Sequence, residues 1–391
     1  MKKIHSILLA FITIILLAPH ASAQTALSAE AEAARVDDIK FFVENFYYGD
    51  IPENLHAMTT IDEVIGALDE YSRYMTSDEY MNYVAAVGAD DVALHNLSEP
   101  AVSSHMLYGN IGYIRISTFS TNMDKVVTKH YNDLKKRGAD KLILDLRYNG
   151  GGYVESAEQL LGHFEGVKTA YEMKTREGTT TVKPIQSNVK FPKQTYVLVN
   201  KYSASASEIV AASLQDQNAA IIVGEKTKGK GTIQSFFEFE DGSALKLTIG
   251  EFTGPKKSKI HRTGITPTIA SEHDQELSTI HGRLLKDSLA QKNYKPVDNL
   301  QEVPATKTFH IHFTQKMNLT SDNASNKVEL IKVGGVAVPI SIKPNGTDTL
   351  DITPNKQMQK GGSYFLVIHP GFANDAGRTT KQGIYTPITV K

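Results

Sequence analysis

Twice in this chain a short, largely apolar run ends in small residues and passes straight into a helical pattern. Leu142-Ile-Leu-Asp-Leu146 leads into Gly150-Gly151-Gly152 and a helix expected over 155–164. Tyr196-Val-Leu-Val199 leads into a run of serines and a helix expected over 205–214. Such runs fit buried strands, and their succession restricts the architecture. Ile111 to Ile116 reads as a further strand. Asn122 to Arg137 reads as an amphipathic helix closed by Gly138, a residue that tolerates the left-handed C-cap. Ala220 to Val223 is another strand, alternating strands fill 233–250, and Glu276 to Lys292 is a last helix. Strands alternating with helices predict an α/β core over 91–295, with ligand sites at the strand ends.

The flanks differ from this core. Val36 to Tyr48 is expected to be helical, with Ile39, Phe42, Val43 and Phe46 on one stripe. Thr60-Ile-Asp-Glu63 matches a capping box opening a second helix, so residues 24–90 are expected as a mainly helical preface. After Pro296 the pattern changes. Phe309, Ile311 and Phe313 alternate with His310 and His312, and Gly334-Gly335, Asn345-Gly346 and Gly361-Gly362 punctuate short strands. Residues 296–391 are therefore expected as an all-β sandwich. His310 and His312 are expected on its solvent face and not as metal ligands.

The first 23 residues read as an export signal. Lys2 and Lys3 precede Ile7–Ala18, apolar apart from Thr13, and Ala21-Ser-Ala23 is a small-x-small cleavage site. Those 12 residues fall short of the ~20 that span a bilayer, so the mature chain is expected to begin at Gln24, outside the cytoplasm. Length, 391 residues, suggests two or three domains. The absence of cysteine excludes disulfides, thiol nucleophiles and Cys-ligated zinc. A net charge of −1 gives no argument for nucleic acid.

The candidate chemistry lies at the two strand-to-loop junctions. Ser205 sits at a helix start with Glu208 three residues on, which by itself suits an N-cap in a capping box. The same position suits a nucleophile, because the helix N-terminus favours negative charge and the Ala206 N–H would face an oxyanion. Lys230 follows 25 residues later, between Gly229 and Gly231. As a general base it must be neutral, which requires its pKa to fall by ~3 units from ~10.4, a cost of roughly 4 kcal/mol supplied by burial. Gly151 or Gly152 is expected to add a second oxyanion N–H. Gly224 to Gly231 nearly forms a phosphate-binding loop, but Gly231 stands where Ser or Thr should bind magnesium, and strand follows where a helix should begin. No His-Glu-x-x-His or comparable metal spacing occurs, and no metal or organic cofactor is expected.

Taken in order, Leu144-Asp-Leu-Arg-Tyr-Asn-Gly-Gly-Gly152, Ser203-Ala-Ser-Ala-Ser-Glu208, Val223 to Gln234 and Asp241-Gly-Ser-Ala-Leu-Lys246 resemble the C-terminal-processing (tail-specific) serine protease family. The similarity covers about residues 60–272, including Tyr71-Ser-Arg-Tyr74 and Gly264-Ile-Thr-Pro267. It implies a ClpP/crotonase-like protease core, Ser205 as nucleophile, Lys230 as general base, Gln234 as the residue orienting that lysine, and Ala206 and Gly152 as oxyanion donors. Asp145 and Arg147 are expected to shape the loop. Departures are Lys228, where the family carries an aromatic, Thr268, where it carries Asp, and only 30 residues, Met81–Asn110, where it usually carries a PDZ domain. The C-terminal segment resembles a bacterial Ig-like domain, on Phe313-Thr-Gln-Lys-Met317, Leu350-Asp-Ile-Thr-Pro354 and Asp375-Ala-Gly377.

The expectation is an exported serine endopeptidase acting on protein or peptide substrates, with its Ig-like domain at a cell wall or surface layer. The competing expectation is a catalytically inactive, protease-like scaffold that binds at the cell surface, which would have no need to keep Ser205, Lys230 and Gln234 together.

Overall fold

The computed structural model describes residues 29–88 and 100–391. The expected export signal lies outside them. Among the described residues no helix is long and apolar enough to cross a membrane.

The core is a six-stranded sheet. In chain order its strands are β2 (Val102–Leu107), β3 (Ile111–Ile116), β4 (Lys141–Asp145), β7 (Thr195–Val199), β8 (Ile221–Gly224) and β11 (Ile269–Ala270), and they lie in the order β11-β8-β7-β4-β3-β2. All neighbours are parallel except β2, which pairs antiparallel with β3 at one edge. Side chains on a strand alternate between faces, and both faces here are covered. Leu142, Leu144, Val197, Val199 and Ile222 join a core packed by helices Met123–Lys136 (α4), Val154–Leu161 (α5) and Ala206–Asp216 (α6). Ile143, Leu198 and Val223 face the other way, against Ile280 and Leu284 of helix Glu276–Gln291 (α7). Double coverage explains why these strands read as continuous apolar runs. Gly138 has a φ of 92° just after α4, the left-handed closure expected of it.

A second, antiparallel sheet holds the hairpin Tyr171–Thr175 (β5) and Gly178–Val182 (β6), with Thr232–Glu238 (β9) and Ala244–Thr253 (β10). The N-terminal segment is more closely joined to this sheet than a separate preface would be. Helix Ala29–Phe46 (α1) buries Val36, Ile39 and Val43 against Leu245 and Leu247 of β10. Helix Ile61–Gly66 (α2) has the expected Thr60–Glu63 capping box. Strand Arg73–Met75 (β1), which the sequence pattern did not announce, pairs with residues 244–246 of β10. Phe46, expected on the buried stripe, is 43% exposed and packs one side of its ring on Phe237. The interval 81–110 holds the end of helix Ser77–Gly88 (α3) and β2, with 89–99 outside the described residues.

From Lys295 onward the chain forms two packed sheets around Phe309, Ile311, Leu350, Ile352 and Leu366. Phe309 and Ile311 are buried while His310 and His312 are exposed or nearly so, as the period-two pattern requires. This strand-rich region abuts the core through Tyr108 and His281. The His281 ring bonds the Tyr108 carbonyl at 2.9 Å through Nε2 and accepts from Gly334 N–H at 2.7 Å through Nδ1.

Candidate active site

Of the serines at the junction of β7 and α6, two are structural. Ser203 Oγ donates to the Leu146 carbonyl at 2.8 Å, and Ser207 Oγ donates to the Asn149 carbonyl at 3.0 Å. Ala204 N–H also donates to the Asn149 carbonyl, at 3.0 Å. These bonds fasten the serine run to the glycine loop. Ser205 is left as the serine whose hydroxyl caps nothing. Its backbone is also set apart, with φ 57° and ψ −117°. A non-glycine residue in that region is strained by roughly 1–3 kcal/mol and is held there by its surroundings.

The glycine loop meets Ser205 directly. A Cβ on Gly151 would lie 2.8 Å from Ser205 Cβ, so only glycine fits. One on Gly152 would lie 2.4 Å from the Phe119 carbonyl oxygen. Gly151 N–H donates to Asn149 Oδ1 at 2.8 Å, and Asn149 Nδ2 donates to the Ile116 carbonyl at 2.9 Å. Gly151 N–H is thereby committed to shaping the loop, which leaves Gly152 as the glycine with a free N–H. Among the described residues neither Gly152 N–H nor Ala206 N–H has a hydrogen-bond acceptor.

Glu208 joins the serine to the lysine. The carboxylate is fully buried. Its Oε2 accepts from Ser205 N–H at 3.0 Å and from Lys230 N–H at 2.8 Å. Its Oε1 accepts from Thr227 Oγ1 at 2.6 Å and Gly229 N–H at 2.7 Å. Two residues separated by 25 positions thus share one oxygen atom. Ser205 and Glu208 are placed as the expected capping box, while the Ser205 hydroxyl makes no cap hydrogen bond and Glu208 N–H bonds the Ser205 carbonyl at 2.8 Å.

The Lys230 side chain is half-buried, with its Nζ 5.1 Å from the centroid of the Tyr71 ring. Burial pushes its pKa down to about 8, helped by the positive charges of Lys246 and Lys228 and opposed by Asp69 and Glu208. Lys246 stands on β10, its amine beside the Tyr83 and Phe236 rings, and burial lowers its pKa as well. The Gln234 amide nitrogen bonds two threonines: Nε2 donates to Thr232 Oγ1 at 2.9 Å and Thr248 Oγ1 at 3.3 Å. Thr248 Oγ1 donates in turn to Asp69 Oδ1 at 3.0 Å, so Gln234 connects to the lysine through Thr248 and the Asp69 charge.

Arg147 and Asp145 act as the loop frame expected of them. Buried Asp145 receives Arg147 Nη2 at 2.5 Å and the Tyr113 hydroxyl at 2.5 Å, and Arg147 Nη1 reaches Glu276 at 2.8 Å.

Residues 110–271 match the model of peptidase family S41, and residues 289–389 match that of a bacterial Ig-like domain. The chain carries a peptidase S41 domain followed by an Ig-like domain. A carboxyl-terminal-processing protease of Synechocystis sp. is 40% identical over 158 residues, covering 40% of this chain and 37% of the relative. The carboxy-terminal processing protease CtpA of Bacillus subtilis is 37% identical over 191 residues, covering 48% and 41%. Among solved structures, the photosystem II D1 C-terminal processing protease aligns over 45% of this chain and 49% of its own, at 26% identity and a TM-score of 0.38. The chain spans about two fifths of the length of the curated relatives it matches. Both Ser205 and Lys230 fall inside the S41 domain.

The roles of Glu208 and Asn149 in the S41 domain, and of Asp69 ahead of it, are not legible in the sequence. Glu208 was visible as a helix-start residue. Its hold on Thr227, Gly229 and Lys230 had no sequence signal, since nothing in the chain marks which distant N–H groups a buried carboxylate will collect.

Proposed function

We propose that the chain is an exported serine endopeptidase that cleaves peptide bonds through an acyl-enzyme on Ser205. The observation that carries this reading is the single Glu208 oxygen that accepts from the backbone N–H groups of both Ser205 and Lys230, together with a Lys230 amine whose pKa is depressed to about 8. Neutral Lys230 Nζ takes the Ser205 Oγ proton as the oxygen attacks the scissile carbonyl. The carbonyl oxygen becomes an oxyanion and is met by the N–H groups of Gly152 and Ala206, at the positive end of α6. The ammonium returns its proton to the leaving amine, whose bond to the acyl carbon breaks. A water molecule, deprotonated by the same amine, then releases the acyl group and restores the serine. Gln234 and Asp69 keep the surroundings of Lys230 in place.

Lys2, Lys3, Ile7–Ala18 and Ala21-Ser-Ala23 support export, with Gln24 as the first mature residue. The Ig-like domain fits attachment to a cell wall or surface layer.

The test is cleavage of casein by purified protein. Loss of cleavage in both Ser205→Ala and Lys230→Ala, with unchanged circular dichroism, is the expected result. Cleavage at the wild-type rate by either variant would remove the proposed dyad.

A further inference from the structure

Two segments that are distant in sequence meet beyond the carboxyl ends of β4 and β8. Glu225 follows β8, His273 lies in the turn before α7, and Glu276 opens α7. One ligand atom from each lies within 4.8 Å of the other two. We propose that Glu225, His273 and Glu276 form a binding site for one divalent transition ion of the zinc or manganese type.

The strongest sign is Glu276. Its side chain is fully buried. One oxygen receives Arg147 Nη1 at 2.8 Å, while the other, Oε1, has no hydrogen-bond partner. A buried charged acceptor left unmet is costly, by about 1–3 kcal/mol or more, and a cation bound at Oε1 meets it without disturbing the arginine. The local charge agrees. Asp145 and Glu276 flank the Arg147 guanidinium, while Glu225 and Asp274 flank the His273 ring, with Lys201 also acting on Asp274. An added cation reduces the negative charge that remains.

The donors select the ion. One imidazole nitrogen and two carboxylates suit zinc or manganese, whereas calcium and magnesium prefer an all-oxygen shell. His273 Nδ1 lies 2.6 Å from Glu225 Oε2, so these two atoms already share a proton that the ion would displace. Donors bound at ~2.0–2.2 Å to one tetrahedral ion sit roughly 3.3 Å apart. The edge between His273 and Glu225 must therefore open from 2.6 Å, which His273 can do because its ring is exposed. His273 Nε2 lies 3.2 Å from the Tyr148 hydroxyl, which itself donates to Asp274 Oδ1 at 2.5 Å. That chain supplies the outer partner that fixes a metal-bound imidazole.

The position gives the ion a structural task. Glu225 begins the segment that leads to Lys230, and Arg147, bonded to Glu276, begins the glycine loop. An ion here ties both segments to α7. The inference does not depend on the peptidase reading, since ion binding and cleavage are measured separately.

The experiment titrates the full-length chain, stripped with a chelator and dialysed, with zinc chloride and separately with manganese chloride. Calorimetry reads stoichiometry and thermal melting reads stabilisation. One ion per chain is expected, with a rise in melting temperature. His273→Ala, an exposed change, should weaken binding by at least about tenfold, and Glu225→Gln should do the same. The paired His310→Ala and His312→Ala changes, which test the other histidine pair, should leave binding intact. Absence of saturable binding for both ions overturns the proposal, as does binding that survives His273→Ala or is lost with His310 and His312.

Discussion

Replacing Lys230 with methionine should make the protein more stable at neutral pH while ending its activity. The amine titrates at about 8 in the folded chain, against an ordinary value of 10.5. The unfolded chain therefore holds the proton more tightly between those two values. Stability contributed by this group rises with pH across the window from about 8 to about 10.5, and the full cost of burying the ammonium is present below it. At 1.36 kcal/mol per pKa unit the depression is an upper bound of ~3 kcal/mol. Partial solvent access to Lys230 reduces this to ~1–2 kcal/mol. Methionine keeps most of the packing and removes the charge. The expected gain at pH 7 is a rise of roughly 2–6 °C in the melting of the S41 domain. The assay is thermal melting of wild type and Lys230→Met at pH 7 and pH 10. Most of the difference should be gone at the higher pH. A variant that is no more stable at pH 7 would refute the reasoning. So would a difference that stays constant with pH, because that would come from packing and not from the buried charge.

Other changes probe the serine and its tether. Ser205→Gly relieves a positive φ that only glycine adopts freely, so it should be more stable than Ser205→Ala by about 1 kcal/mol while both are inactive; equal melting temperatures would argue against strain at this residue. Glu208→Gln replaces an acceptor of four hydrogen bonds with a group that has one acceptor oxygen. At least one buried N–H or O–H is left unmet, costing about 1–3 kcal/mol, and casein cleavage should fall by about 100-fold or more; wild-type cleavage by this variant would show that the shared carboxylate oxygen is not needed.

The parts of the fold that could be read from the sequence are those with local causes. Leu142–Leu146 and Tyr196–Val199 read as buried strands because both their faces are covered, and Thr60–Glu63 read as a helix start because a capping box is closed within four residues. Strand β1 was missed because Arg73-Tyr-Met75 owes its extended form to pairing with β10, far along the chain. The same limit applied at the site. Ser205, Lys230 and the glycines stand at visible junctions. The division of labour among Ser203, Ser205 and Ser207 depends on which carbonyls lie within reach, and Gly151 lost its free N–H to an asparagine side chain. Gln234 carries a family role in the sequence, and only the folded β9 and β10 show its amide nitrogen bonded to Thr232 and Thr248. Of the Glu225–His273–Glu276 cluster only His273 and Glu276 are neighbours in sequence, and Glu225 joins them only in the folded core.

The pH dependence of casein cleavage at low substrate concentration reads the ionisation of the free enzyme and thereby of its general base. If Lys230 is the base, the rate rises about tenfold per pH unit up to about 8 and then levels, and Lys246→Met moves that limb to higher pH by removing a charge that holds the Lys230 pKa down. A limb centred near 6.5, the ordinary range of histidine, or one that Lys246→Met leaves in place, would contradict it.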